Sequence, residues 1–543
     1  VTSDPVGERQ DVPAVSPAEE GEVPDARAIR RFTAQAGNAR GGASLGALLS
    51  DVYYAVITLA IGIGLALGAA QALRVALPDE PAVHAPRGLS LPTLVVVLVV
   101  GLAGILVSLA GRLGPVGAGG AEASWWLSLP VDRRGLLRPA ARRLPVVAAL
   151  VGAVLVALLD AGLLSDAAGH VARVAVTAAL AAAALVLLAA VLQSRGVRRS
   201  TTALVGDLLL AAAPVAAVVL ALGDWSVRSV PTLPWVGAAG AALVVAALAV
   251  LVDRRLGRIP ERSLRESGSV ATQAVGAAVS LDSRELGRAL TDGAAAPARR
   301  RTSRLRTARG AASALVTADL VVLRRSVRHV VQILVAALVP VLVTSVPQLA
   351  SPFGVLLSVL VAGYVAMSAT GEGARRAQMA PVLDRLLPLG LKSVRRLRMV
   401  VPGAAMLLWS LVAFAAVGRW TGGVAGWLAL GVASTPVWAA AAVRSSYRPA
   451  PDWSGPLVST PMGALPTGVG SVLARGPDVV VLGLLPVWVA ILLRTVTPTL
   501  VTVQVLCAVV AVAVASSTAT GTLLERMTAT QEELEKQRRE ATR

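Results

Sequence analysis

The stretch LPTLVVVLVVGLAGILVSLA, residues 91–110, runs its whole length without a charge. A helix rises 1.5 Å per residue, so such a run is about 30 Å long, the thickness of a bilayer's hydrocarbon core. On its own it is also compatible with a buried helix of a large soluble domain. Composition decides between the two. Of the 543 residues, 55% are hydrophobic and 15% charged, and the mean hydropathy is +0.69. A soluble chain carries about 25% charged residues. The apolar excess is too large for one buried core, and it defines the fold class as an all-α polytopic membrane protein. Aromatics are only 3%. The Val, Leu, Ala and Gly that dominate let helix backbones approach closely in lipid.

Working outward, similar runs occur at about 51–73, 145–164, 171–192, 203–222, 232–252, 330–350, 353–370, 400–418, 422–443, 478–493 and 497–516, for twelve spans in all. The cations test that count. With twelve spans, one set of loops holds only Arg74, Arg87, Arg173, Arg228, Arg419 and Arg494, and the rest of the 51 cations fall in the other set and the termini. Cytoplasmic loops collect Lys and Arg, so both termini are expected inside the cell, in the plasma membrane. The formal charge of +19 is accounted for by the same rule. Zinc spacings and aromatic–basic interleaving are missing, which argues against nucleic acid. A cleaved signal peptide is not expected before the first run. Cys507 is the only cysteine and reads as a small buried hydrophobe.

The expected organisation is a disordered acidic, Pro-rich tail at 1–26, a six-span half at 27–252, and an Arg-rich irregular linker at 253–311. A second six-span half follows at 312–518 and a charged tail at 519–543. The second half opens on an amphipathic segment, with Leu315, Leu320, Val322, Leu323 and Val327 as its apolar face and Asp319, Arg324, Arg325 and Arg328 elsewhere. Residues before the first run form a weaker counterpart.

Two pairs of features recur at equivalent places. LPVDRRGLLRPAARRLP (129–145) follows the second run, and LPLGLKSVRRLRMVVP (387–402) follows the eighth. Each has Leu-Pro, cations, then a proline entering the next span. Asp207 and Pro214 in the fifth run match Asp478 and Pro486 in the eleventh. Parallel repeats of this kind are a transporter signature.

Chemistry is sparse. Asp160 is expected to reach the outer headgroups, and Asp207 and Asp478 to sit at inner helix ends as capping or interface groups, with transport chemistry as the other reading. Tyr364 reads as a packing or interhelical group. His84, His170 and His329 are placed outside the spans, which leaves no proton relay. A P-loop needs Gly-Lys-Ser/Thr, but Leu391 precedes Lys392 and Glu535 precedes Lys536. No catalytic triad, metal cluster or dinucleotide fingerprint is present, so the chain is not expected to be an enzyme or to bind a cofactor.

The segment ASWWLSLPVDRRGLLRPAARRLP (123–145) is too elaborate for a connecting loop. Trp125 and Trp126 supply rigid apolar area suited to an interface anchor, and an aromatic belt backed by inner-face cations is the plainer alternative. With Glu122, Leu127, Leu129, Pro130 and Arg133, the segment resembles the cytoplasmic stretch after the second span in permeases of exporter-type ABC transporters. In the second half Leu383, Leu387, Pro388 and Lys392 match, with the acid displaced to Asp384. The resemblance implies coupling faces that dock two copies of a separate ATP-hydrolysing subunit, which carries the ATP and magnesium. It also implies a path lined by the second, fifth, eighth and eleventh runs, where Asp207, Pro214, Tyr364, Asp478 and Pro486 are pathway or gating candidates. The implied function is export of an amphipathic or lipidic compound by a fused pseudo-dimer. A major-facilitator-like secondary transporter is the alternative, since DRRGLLR (132–138) echoes that superfamily's loop motif. A non-transporting membrane scaffold is the third reading.

Overall fold

The computed structural model describes residues 25–41, 64, 89–129, 131–164, 167–223, 227, 229–279, 289–290, 308–347, 349–379, 384, 386–447, 457–460, 463–466 and 476–517. The expected first span, 51–73, lies almost wholly outside them, as do most of both tails. Helix α1 is Ala26–Gly41. The first group continues with α2 (Leu91–Leu113), the short α3 (Gly120–Trp125), α4 (Arg133–Leu163), α5 (Ala168–Ser194), α6 (Arg199–Leu222), α7 (Trp235–Arg255) and α8 (Glu261–Val279). The second group runs through α9 (Ala311–Arg325), α10 (Val327–Ser345), α11 (Pro352–Thr370), α12 (Glu372–Met379), α13 (Leu391–Leu397), α14 (Val400–Thr421) and α15 (Val424–Ser446). A hairpin of β1 (Leu457–Thr460) and β2 (Gly463–Pro466) precedes α16 (Pro477–Gly483), α17 (Leu485–Leu493) and α18 (Pro498–Ser516).

Ten helices among the described residues are long and apolar enough to cross a membrane: α2, α4, α5, α6, α7, α10, α11, α13 with α14, α15 and α18. The expected span at 478–493 is instead broken at Leu484, between α16 and α17. Pro486 has no N–H to bond back into the preceding turn and is tolerated in the first turn of the next helix. The break is buried, and the Gly483 carbonyl it leaves accepts a 2.9 Å bond from Nε2 of Gln504. In lipid a freed backbone group must find such a partner inside the protein.

Span three also differs from expectation. Helix α4 begins at Arg133, capped by Asp132, whose side chain accepts from Arg134 N at 3.0 Å. Pro139 and Pro145 therefore lie within a helix and do not mark its entrance. In the linker, Glu261–Val279 is helical and packs on α3. Gly268 permits this: a Cβ there would overlap the Ala118 carbonyl.

Within the first group α2 packs on α4, α5 and α6, α4 on α5 and α7, and α5 on α7. Within the second, α11 packs on α14, α15 and α17, α14 on α15, α13 on α18, and α15 on α18. Helices α2 and α6 approach closely. Gly104, Ser108 and Gly111 face Ala203, Gly206 and Leu210, and a methyl at Gly206 would overlap the Ser108 backbone nitrogen. Small residues at these spacings let helices close on one another in a membrane. The second group's core is heavier. Trp409 and Trp438 meet edge to face at 5.6 Å, and Gly363 leaves the space their rings fill. The groups join where α10 lies on α6, with Leu342 and Val346 against Ala213 and Ala217.

Candidate functional site

The arginine-rich end of the bundle gathers nearly all the charged contacts among the described residues. Three parts of it matter.

The first is the turn after α2. Glu122 is exposed and accepts from Gly119 N at 3.1 Å, closing the start of α3. Trp125 is 72% exposed and Leu129 is exposed beside it, while Leu127 is buried beneath. Trp126 does not share the open face: it packs with Ala26 and Ile29 of α1 and with Leu136. Helix α1 thus covers one of the two indoles, which the segment's own sequence does not reveal. Arg133 reaches both the Leu127 carbonyl and Glu261 Oε2 at 3.4 Å, tying the turn to α8. Pro130 lies outside the described residues.

The second part is its counterpart after α11. Leu387 is half-buried, and Pro388 and Lys392 are exposed. Leu383 lies outside the described residues. Asp384 cannot belong to a docking face. It is buried, accepts from Arg398 Nη2 at 2.6 Å and from the Tyr447 hydroxyl at 3.2 Å. The other Arg398 nitrogen, Nη1, donates to Asp319 Oδ1 at 3.0 Å. Asp319 is therefore turned inward on α9, and Leu320, assigned to the apolar face by its spacing, is exposed. One cation holding two buried carboxylates outweighs the apolar periodicity of a single helix. Burial pushes the Asp319 carboxyl up, against the pull of Arg398, and burial likewise pushes the Tyr447 hydroxyl up.

The third part lies at the seam between the groups. Asp207 sits two turns inside α6, not at its end, because α6 starts at Arg199. It accepts from Arg112 Nη2 and from Ser108 Oγ, both at 2.6 Å, and the pair is buried. Arg112 Nη1 also reaches the Leu290 carbonyl at 2.9 Å. From the second group, Arg328 at the start of α10 is within electrostatic reach of Arg112, Asp207, Glu372 and Arg375. Glu372 is held by Arg375 and Arg376 at 3.1 and 3.0 Å. His329 is buried in the first turn of α10, and His170 stands in the first turn of α5, so neither is outside the spans.

The remaining candidates are dispersed. Asp160 has no exposed surface, contrary to a headgroup position, and lies 3.9 Å from His170 Nε2 at the other end of the bundle. Asp478 caps the approach to α16, accepting from Gly476 N at 2.7 Å and from Arg444 Nη2 at 2.8 Å. It thus faces α15, whereas Asp207 faces α2. Pro214 is buried within α6, Pro486 is buried at the start of α17, and Tyr364 is partly exposed on α11. The His/Cys/Asp/Glu clusters a metal needs are not found among the described residues.

Helices of spanning length, charged contacts crowded at one end and closely packed small residues define a multi-pass helical membrane protein. The chain belongs to a family of unknown function, DUF6297, whose model matches residues 85–456. No curated protein and no solved structure matches it.

Proposed function

We propose that the chain is the membrane permease of an ATP-driven exporter, built as two six-span units in tandem, with both termini in the cytoplasm and the ATPase on a separate subunit. The observation that carries this reading is the repeated packing. The pairs α2–α4, α2–α5, α2–α6, α4–α5 and α5–α7 recur as α11–α14, α11–α15, α11–α17, α14–α15 and α15–α18. The helices at the start of each unit also correspond, α1 lying on α4 as α9 lies on α14. Even the ties at the arginine-rich end repeat: Arg134 and Arg138 hold Asp253 at the end of α7, and Arg395 holds the Ser517 carbonyl at the end of α18. On this reading the two turns, 119–133 and 384–392, take equivalent positions on one face. Trp125, Leu129, Pro388 and Lys392, with the half-buried Leu387, are the candidates there to meet two ATPase copies.

A secondary transporter has one observation in its favour, the buried Asp160 beside His170, since titratable groups at membrane depth are functional suspects. Transport assayed in inside-out vesicles separates the two. The permease reading expects uptake that requires ATP and the co-expressed ATPase and survives collapse of the proton gradient. Uptake driven by a proton gradient alone, without nucleotide, would overturn it.

A further inference from the structure

Between α4, α5 and α7 the first group leaves a groove of about 400 Å³, at the small end of the ~300–1,000 Å³ range of ligand clefts. The corresponding helices of the second group are buried more fully against one another. There α15 buries Ala439 to Val443 against Ala508, Ala511 and Ala515 of α18, whereas α7 buries only Ala238 and Val252. The polar ties on α7 lie near its two ends, Arg134 and Arg138 on Asp253 and Leu233 N on Thr177.

The groove's walls are apolar: Pro145, Val146, Ala149, Ala183, Leu187 and Val250. Val146 and Val250 are more than half exposed, so it opens sideways, toward lipid. Its charged mouth is at the arginine-rich end, where Arg138, Arg142 and Asp253 line it. Asp253 is the only acid in that lining and is already shared by Arg134 and Arg138. Arg142 is exposed and has no ion pair among the described residues. An apolar slot under a surplus cation, open to the bilayer at headgroup level, is complementary to one kind of molecule.

We propose that this groove is a binding site for an acidic phospholipid, with the phosphate on Arg142 beside Arg138 and an acyl chain along Val146, Ala149, Ala183 and Val250. Basic pockets between membrane helices on the cytoplasmic side select anionic headgroups in this way. The lipid would fill the space that α7 does not close. The site depends only on the helices described, not on what the protein transports.

The test uses the full chain purified in a mild detergent, with bound lipid read by native mass spectrometry and by thermal shift. Phosphatidylglycerol is expected to bind and raise the unfolding temperature, and phosphatidylcholine to do neither. R142Q should cut phosphatidylglycerol retention roughly fivefold, the effect of one cation near a membrane surface, while R143Q, exposed but outside the groove, should not. A149W, which fills the slot without touching charge, should also reduce retention. Equal retention of both lipids, or equal loss in R142Q and R143Q, would overturn the proposal. So would competition by millimolar inorganic phosphate, which would mark a site for a free anion.

Discussion

Arg112 donates to Asp207 at 2.6 Å, and both side chains are more than nine-tenths buried where α2 crosses α6. Removing one partner leaves a buried charge uncompensated, which costs about 3–5 kcal/mol. D207N is expected to fall by that order in equilibrium unfolding in detergent. The double variant R112M/D207L, which removes both charges, should recover most of the loss. Equal destabilisation by the single and double variants would show that the pair is not what holds these helices.

The same crossing depends on absent side chains. G206A places a methyl against the Ser108 backbone and should cost about 1–3 kcal/mol as overpacking. Gly240, on α7, has open space around it, so G240A should leave the unfolding midpoint unlowered. Matching midpoints for the two variants would remove the close-approach account.

The two indoles after α2 should separate by assay. W126A removes packing under α1 and is expected to lose about 1–2 kcal/mol of stability. W125A removes an exposed ring and should unfold like the parent. On the permease reading W125A instead weakens ATPase co-purification about thirtyfold, the ~2 kcal/mol of a hot-spot anchor. Undiminished ATPase recovery with W125A and L129A combined would leave this turn as a membrane anchor.

Arg398 is the sole described cation that bridges Asp319 and Asp384. R398M leaves two buried carboxylates facing each other, so α9 should detach and become open to limited proteolysis near 311–325. The sign with pH follows from burial, which already pushes the Asp319 carboxyl up. As pH falls the uncompensated acids take up protons and their repulsion fades, so protection in R398M should return at acid pH. Cleavage of R398M that is the same at all pH values would exclude this electrostatic origin.

Sidedness is open to single-cysteine labelling in a C507A background. A168C and T495C, at the end of the bundle opposite the arginine-rich one, should react with an impermeant maleimide from outside. V197C and G257C, both exposed at the arginine-rich end, should react only after the membrane is opened. Outside labelling at 257 would reverse the orientation set by the cations.

Some of this was decided by the sequence alone. Charge-free runs of about 20 residues are helical in lipid whatever their neighbours, because the backbone has no other partner there. That is why ten expected spans stand as helices, while α9 was legible from its amphipathic spacing. What each polar group does was settled only by the tertiary structure. Asp207, Asp319 and Asp384 carry no local mark of their role, since their partners Arg112 and Arg398 stand on other elements and come near only once the helices pack. The break at Leu484 is similar, tolerable because Gln504 of α18 bonds the freed carbonyl. The cover over Trp126 comes from α1, far back in the chain. Hydrophobic length is a local property and can be read along a line, whereas pairing, close approach and cavities depend on distances that exist only after folding.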